Sequence, residues 1–295
     1  MRSSSTPDSF PKQEVQSIDA LFTRAGLTHS LRGKAAGVTT RMRFKRLDPQ
    51  ELMPAAPLRS LARNGVGLLA VPSWEKLDWL WHGFSTRQGG LSRAYCAEDA
   101  PGELNLGFTS EDDRQTVAAN RSLLAEAVSG DAETPLVALK QIHSNHTRIV
   151  TVTDASRELP SKADGMMTDE PGVLLSIQTA DCIPILLADR KRHAVAAFHA
   201  GWRGTVQRIV ESGVGRMRLE FGSRPEDLIA AIGPGIGPCC YAVGEEMLTE
   251  FESQFVYARE LFHEVYDADE VRTKYPMLFL TQRAPGHSPI GPSLH

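Results

Sequence analysis

The stretch 178-QTADCIPILLADRKRHAVAAFHAGWRGTVQRIVE-211 joins two short apolar runs, with Cys182 ahead of the first and His199 at the end of the second. Uninterrupted apolar runs such as 183-IPILL-187 and 194-AVAAF-198 are typical of strands that are buried on both faces of a sheet. We therefore expect Cys182 and His199 at or just beyond strand ends, where a rigid sheet can hold polar side chains in a cleft.

A third polar residue, His143, follows one apolar run and precedes another in 138-ALKQIHSNHTRIV-150. One thiolate and two imidazoles form a three-ligand zinc set with an open fourth position, which is typical of catalytic zinc sites. The residues alone leave an alternative open, in which Cys182 is a small buried hydrophobe and the two histidines are hydrogen-bonded loop residues. The spacing Cys-x16-His is not a zinc signature by itself.

Seven strings of this sequence, in order, resemble the laccase-domain (YfiH-like) family of purine nucleoside phosphorylases. They are 83-GFSTRQGGLS-92, 104-LNLGF-108, 141-QIHS-144, 163-ADGMMTDEPG-172, 179-TADCIPILLAD-189, 198-FHAGWRGT-205 and 233-GPGIGPCCYAVG-244. The resemblance implies that His143, Cys182 and His199 bind a catalytic zinc. It also implies a zinc-dependent purine nucleoside phosphorylase that deaminates adenosine, with a purine nucleoside (adenosine, inosine, guanosine or methylthioadenosine) and inorganic phosphate as substrates.

Two other functions are weighed against this one. The family's older label, a multicopper polyphenol oxidase, requires closely spaced histidine pairs, and no His-x-His occurs among the nine histidines of the chain. The other is a metal-independent cysteine hydrolase, in which Cys182 is the nucleophile, His199 is the base and Asp181 orients an imidazole. Some members of the family have been described as peptidoglycan-editing hydrolases, so the resemblance leaves this alternative open.

Two arginines are candidates for binding phosphate. Arg87 precedes a Gly-Gly turn, where backbone amides and a guanidinium can converge on an anion, although an ordinary hairpin turn with a solvated arginine explains the same string. Arg203 stands at the predicted start of a helix over 204–221, whose amide groups would lie close to His199. The alternative for Arg203 is packing across Trp202 or pairing with a carboxylate.

The composition excludes several classes of protein. A net charge of -4, from 32 basic and 36 acidic residues, gives no overall attraction to nucleic acid or to an anionic membrane. No apolar run is long enough to cross a bilayer. Four cysteines in 295 residues do not form a disulfide framework, and we interpret the adjacent Cys239 and Cys240 as structural thiols. A cytoplasmic location is expected.

The two ends of the chain differ from its middle. Residues 1–57 are rich in serine, proline and charge, which predicts a mostly disordered extension and suggests Met42 as an alternative start. We expect a catalytic domain over 58–295 that is truncated at its C-terminus, because relatives continue with a further helix and strand where this chain has 284-APGHSPIGPSLH-295. The histidines of this end, His263, His287 and His295, receive no ligand assignment.

The apolar runs alternate irregularly with two or three helices, which favours an α+β fold with mixed β-sheets flanked by helices over a doubly wound parallel sheet. The resemblance also implies a single YfiH-like domain. A helix is expected from Ser110, as its N-cap, to Val128. Strands are expected at Val66, Trp79, Val137, Ile149, Val173, Ile183, Ala194 and Ile229.

Overall fold

The computed structural model describes residues 58–96, 99–155, 161–236, 241, 243 and 245–262. The predicted extension at 1–57, the cysteine pair Cys239 and Cys240, and the C-terminal residues 263–295 lie outside these ranges, so the predictions made for them stay predictions.

The described residues contain eleven strands and five α-helices. The strands are β1 (Arg59–Arg63), β2 (Val66–Ala70), β3 (Phe84–Ser85), β4 (Gln88–Ser92), β5 (Leu136–Ala138), β6 (Thr147–Ile149), β7 (Gly165–Thr168), β8 (Leu174–Ser176), β9 (Ile183–Asp189), β10 (Val195–Ala200) and β11 (Leu228–Ile232). The helices are α1 (Arg114–Ser129), α2 (Val152–Ala155), α3 (Trp202–Val206), α4 (Ile209–Phe221) and α5 (Glu245–Gln254). Short 3-10 helices cover Trp74–Lys76, Pro225–Asp227 and Ala258–Leu261.

The largest sheet has five strands in the order β11-β9-β10-β7-β6. Its neighbours pair antiparallel, except for β6 and β7, which pair parallel. The central strands β9 and β10 are the two apolar runs identified in the sequence, and most of their residues are buried, as a position inside the sheet requires. The other sheets are the three-stranded β1-β2-β3 and the parallel pair β5-β8. The prediction of an α+β fold with mixed sheets is therefore confirmed.

Helix α4 packs closely against β10. Phe198 of β10 is fully buried in a cluster with Ile209 and Met217 of the helix. A Cβ atom at Gly213 would lie 2.2 Å from the Phe198 ring, so the helix can approach this closely only because glycine occupies that position. This packing holds the end of β10, and with it His199, against a rigid part of the core.

The prediction of a strand over 77–86 is largely wrong. Only Phe84–Ser85 joins the ladder, beside β2. Tertiary packing takes precedence over the alternating pattern, because the preceding segment turns at Trp74–Lys76 and Trp79 then packs against a cluster that includes Ala188 and Ala231 of the large sheet. Trp81 is 44% exposed, whereas Phe84 is buried. Strands β1, β4 and β7 were not predicted.

Both predicted helices have bounds that differ from those expected. Asp113, rather than Ser110, caps α1, because its carboxylate accepts the amide hydrogen of Thr116 at 2.9 Å. The helix expected over 204–221 is divided into α3 and α4 by Arg208, whose φ of 59° belongs to the left-handed region that a right-handed helix cannot include. The segment beside His199 is consequently the five-residue α3, which is too short to serve as the phosphate-binding helix terminus that we predicted.

Within the described residues, none of the helices combines the length and the apolar character that crossing a membrane requires.

Candidate metal centre

Cys182 and His199 meet because β9 and β10 run antiparallel. Cys182 directly precedes β9, and His199 lies near the end of β10, opposite Pro184. The start of one strand and the end of its antiparallel neighbour lie at the same end of the sheet. The expectation that both residues lie at strand ends is therefore met, and the pairing register brings them to the same end of the sheet.

His143 reaches the same place from the loop between β5 and β6. Its φ of 58° lies in the left-handed region, which is uncommon for residues other than glycine and is retained where the surroundings hold it. The backbone amide of His143 donates to Asp164 Oδ1 at 2.9 Å, and that of Ser144 donates to Asp164 Oδ2 at 2.7 Å. Successive amides that converge on one carboxylate form an anion-binding nest. The nest fixes the turn that presents the imidazole.

Asp164 connects the loop to the sheet. Its side chain is fully buried, and Oδ1 also accepts a hydrogen bond from His199 Nδ1 at 2.8 Å. The amide of Ile142 and the hydroxyl of Ser144 complete a set of partners that are all donors. A carboxylate that accepts so many donors stays ionised despite its burial. Asp164 therefore sets the positions of two of the three predicted ligands.

The two ionisable groups of this pair respond in opposite directions. Burial opposes ionisation of Asp164, but hydrogen bonds from His199, Ser144 and His143 hold the pKa of its carboxyl group well below the usual range. Burial also opposes a charge on His199, yet its hydrogen bonds to Asp164 and Cys182 raise the pKa of the imidazole to about 9. With Nδ1 directed at Asp164, the hydrogen-bond geometry leaves His199 Nε2 as the ligand atom.

The three side chains form a set that fits a small metal ion. The ligand atoms of His143, Cys182 and His199 all lie within 4.8 Å of one another, and Cys182 Sγ is 3.8 Å from His143 Nε2. Tetrahedral zinc with its usual Zn–S and Zn–N bond lengths separates a sulfur and a nitrogen ligand by roughly 3.5 Å. The two imidazole rings stand edge to face, with centroids 4.8 Å apart. The nitrogen and sulfur donors therefore suit zinc, provided that the distance from Cys182 Sγ to His143 Nε2 shortens slightly when the ion binds.

Gly201 lies against this set, and its replacement gives a direct test of the site. An added Cβ would be 2.8 Å from His143 Cδ2 and 3.1 Å from Cys182 Sγ, although the backbone of Gly201 is ordinary. We expect Gly201→Ala to weaken zinc binding by about tenfold or more, because at least one ligand must move by a few tenths of an ångström. Titration with zinc in competition with a chromophoric chelator measures the zinc affinity.

Gly215→Ala is the matched control for that substitution. A Cβ at Gly215 meets nothing within 4 Å, and helix α4 should gain about 0.5 to 1 kcal/mol of stability from the alanine. Zinc affinity should be unchanged in this variant. An unaltered zinc affinity in Gly201→Ala would show that the three side chains do not share an ion.

A second network links the loop before His143 to the segment before Cys182. The side chain of Gln141 donates to the carbonyl of Gln178 at 2.7 Å and accepts its amide hydrogen at 2.8 Å. The side chain of Gln178 donates to the carbonyl of Leu106 at 2.7 Å. These bonds fix the distance between the two chain segments that carry His143 and Cys182.

The two predicted phosphate-binding arginines lie in different surroundings. Arg203 stacks on the Trp202 ring with its guanidinium carbon 4.4 Å from the centroid, as the packing alternative predicts. It is close enough to Tyr241 to influence it electrostatically, and so are Cys182 and Asp181. Arg87 lies in the turn between β3 and β4, where it is 60% exposed and 3.4 Å from Glu103. Arg203 thus packs on Trp202, and Arg87 is paired with Glu103 at the surface.

Sequence reasoning missed Asp164, Gln141, Gln178 and Tyr241 as parts of this site. Each belongs to or adjoins a string that the resemblance had singled out, and that membership is the signal that could have found them. Burial raises the pKa of the Tyr241 phenol, and the charges of Cys182 and Asp181 raise it further. The Tyr241 hydroxyl therefore stays neutral and lies within electrostatic range of Cys182.

The fold and the site define a mixed α+β protein with a candidate His-Cys-His metal centre, and comparison with known proteins gives its family. Residues 81–281 match the family described as multi-copper polyphenol oxidoreductase laccase. A protein of Bacteroides thetaiotaomicron named purine nucleoside phosphorylase is 38% identical over 190 residues, which cover 63% of this chain and 68% of that protein. One of the same name from Deinococcus radiodurans is 42% identical over 172 residues, which cover 58% and 63%.

Solved structures agree with these sequence matches. YlmD from Geobacillus stearothermophilus superimposes with a TM-score of 0.58 at 30% identity, covering 71% of this chain and 74% of its own. The hypothetical protein YfiH of Bacillus licheniformis gives a TM-score of 0.59 at 30% identity, covering 76% and 83%. The chain belongs to the laccase-domain family of YfiH-like proteins, whose older description refers to multi-copper oxidoreductases. The predicted family is confirmed.

Proposed function

We propose that this protein is a zinc-dependent purine nucleoside phosphorylase that also deaminates adenosine. The observation that carries the proposal is the convergence of His143, Cys182 and His199, whose ligand atoms lie within 4.8 Å of one another at the ends of the central strands β9 and β10. The names of the relatives from Bacteroides and Deinococcus support phosphorolysis of a purine nucleoside. The matched regions cover 68% and 63% of those two proteins, so the activity proposed for this chain is based on part of their length.

Zinc is proposed as the ion because the ligand set suits it. One thiolate and two imidazoles with an open position are typical of catalytic zinc, and the described residues contain one such group. A multicopper centre would need further histidines at the same place. When bound, zinc supplies a Lewis acid that polarises a coordinated oxygen and lowers the pKa of a bound water toward 7.

The residues around the ligands suit a phosphate substrate and a purine leaving group. In phosphorolysis an anion attacks a ribose carbon that develops positive charge while the base departs. The charges of Arg203 and Cys182 both act on the Tyr241 phenol. We propose that Arg203 binds the phosphate. Arg87 is proposed as a second contact once substrate displaces its pairing with Glu103. Such an exposed pair contributes little stability, so its exchange costs little.

Tyr241 is proposed to hydrogen-bond the nucleoside. Its raised pKa keeps the phenol neutral at physiological pH, so the hydroxyl can donate a hydrogen bond to a ring nitrogen or a ribose oxygen. Apolar side chains on segments that carry ligands, Ile142 and Ile183, are 41% and 39% exposed. These surfaces are suited to cover a purine and exclude water from the reacting atoms.

One observation favours the alternative of a metal-independent hydrolase. Asp164, His199 and Cys182 form an acid, imidazole and thiol array, with Asp164 in the orienting role that we had predicted for Asp181. In that mechanism His199 is the base that takes the proton of the Cys182 thiol, and the Cys182 sulfur attacks the substrate. His143 would then not be essential, whereas the zinc-dependent mechanism requires it.

Incubation of the protein with adenosine and with inosine, each with and without inorganic phosphate, tests the proposal. We expect free base and ribose phosphate to form only when phosphate is present, and inosine to form from adenosine without it. Removal of zinc by a chelator should stop both reactions, and added zinc should restore them. Activity that survives the chelator would support the hydrolase, and oxygen consumption on a phenol with stoichiometric copper would support the oxidase.

A further inference from the structure

A cleft of about 540 Å³ opens along the edge of the five-stranded sheet, apart from the metal centre. It is lined by residues 146–149, which lead into and form the edge strand β6, by residues 161–163 ahead of β7, and by Arg216 of helix α4. Its volume lies within the range of small-molecule pockets, roughly 300 to 1,000 Å³. None of His143, Cys182 and His199 lines it.

The charged side chains around this cleft are all cationic. Arg148, Lys162 and Arg216 come from three separate segments of the chain, and none of the described lining residues is an aspartate or a glutamate. Within the described residues, Lys162 and His146 make no ion pair. A concave surface that is lined by one sign of charge focuses the field and attracts ions of the opposite sign.

Two carboxylates near the rim neutralise part of this charge. Arg148 lies 3.4 Å from Asp154, and Arg216 lies 3.7 Å from Glu220. The Arg216 and Glu220 side chains are both about 40% exposed, so solvent screens their attraction. A multiply charged anion can therefore compete for these guanidinium groups.

One side chain that lines the cleft carries a buried donor without an acceptor. Arg148 Nε is buried and has no hydrogen-bond partner among the described residues. Buried polar atoms in folded proteins are almost always paired, so each exception requires an explanation. An anion's oxygen atoms are acceptors, and arginine forms its strongest hydrogen bonds with phosphate and carboxylate oxygens.

We propose that this cleft binds a small polyphosphorylated anion, recognised through its phosphate groups. No phenylalanine, tyrosine or tryptophan is among the described lining residues, so the site offers no stacking surface for a nucleobase. The charge of the three basic side chains suits two or three linked phosphates better than one. Binding here does not depend on the proposed function, because the metal ligands are elsewhere.

Calorimetric titration with inorganic tripolyphosphate tests this proposal. Because tripolyphosphate also chelates zinc, the full chain and its Cys182→Ala variant are titrated in parallel, and both should bind with a dissociation constant below about 1 mM. ATP should bind about as tightly as tripolyphosphate, and adenosine should not compete. Lys162→Gln should weaken binding roughly tenfold, the loss expected for one charge-assisted hydrogen bond.

Two substitutions on helix α4 provide the matched pair. Arg216 also donates to the carbonyl of Thr147, so a loss of its charge must be separated from a loss of this contact. Arg216→Gln is expected to weaken tripolyphosphate binding roughly tenfold. Arg216→Lys keeps the charge and should restore part of the affinity. Arg218→Gln, two residues further along the helix and outside the cleft, should have no effect. Circular dichroism confirms that each variant folds.

The proposal is overturned by an absence of tripolyphosphate binding, by equal affinity in the wild type and in Lys162→Gln, or by competition from adenosine. Binding of single-stranded RNA without binding of tripolyphosphate would also overturn it, since that result assigns the surface to a nucleic acid.

Discussion

Alanine at His143, Cys182 or His199 is expected to remove both bound zinc and turnover, whichever of the three is replaced. Each side chain supplies one ligand atom, and the three atoms lie within 4.8 Å of one another. Two remaining ligands hold zinc far more weakly than three, so we expect zinc content below about a tenth of the wild-type stoichiometry after dialysis. The phosphorolysis rate should fall by a factor of at least 10³, because the loss removes transition-state stabilisation as well as the ion.

The measurements are zinc content by atomic emission and phosphorolysis of inosine, made on the same preparations. His146→Ala and Cys96→Ala are the matched controls, since His146 is three residues from His143 and Cys96 is the other free cysteine that the structure describes. Both should retain stoichiometric zinc and activity. If His143→Ala alone retains zinc and near-native phosphorolysis, the three-ligand assignment is wrong and the pair Cys182 and His199 becomes the centre of a hydrolase.

The second large effect is expected at Asp164, which contacts no substrate in this proposal and acts through the ligands that it positions. Its carboxylate accepts hydrogen bonds from two successive amides, His143 and Ser144, and from His199 Nδ1. In Asp164→Asn one oxygen becomes an NH₂ group that faces donors, so hydrogen bonds are lost inside a fully buried site. We expect a loss of about 2 to 4 kcal/mol of unfolding free energy, and zinc affinity lowered roughly 10- to 100-fold.

Chemical denaturation of the zinc-free protein and zinc titration of the folded protein separate these two effects. Asp169→Asn, five residues further along and exposed, is the control and should change neither quantity. A role in positioning predicts that saturating zinc restores most of kcat in Asp164→Asn. Native zinc affinity together with native stability in this variant would contradict the role assigned to Asp164.

Part of the site was accessible from the sequence because it depends on residue type. The apolar runs that became β9 and β10 identify strands that must be buried. The polar residues next to these runs are therefore expected at the end of the sheet rather than in its core. The resemblance of 141-QIHS-144 and 198-FHAGWRGT-205 to family strings then identified the ligands. The α+β class followed from the irregular alternation of strands and helices.

The errors lie where local pattern and tertiary packing disagree. The segment 77–86 alternates like a strand, yet Trp79 packs against a cluster that includes Ala188 and Ala231 of the large sheet, and only Phe84–Ser85 pairs its backbone. The helix expected over 204–221 has the right apolar spacing, but Arg208 adopts a left-handed conformation, donates to Glu211 and Gln254, and stacks on Phe255. The contacts with Gln254 and Phe255 come from a distant segment, and no local period encodes them.

The sequence by itself determined which residues had to be buried and which side chains could bind a metal, because burial follows apolar periodicity and ligation follows the chemistry of each side chain. Only the tertiary structure decided how they meet. The antiparallel register of β9 and β10 brings Cys182 to His199, and Asp164 draws the loop of His143 to both. The edge cleft likewise gathers Arg148, Lys162 and Arg216 from segments far apart in the chain. Convergence of this kind depends on strand order and on long-range hydrogen bonds, which arise only when the whole domain folds.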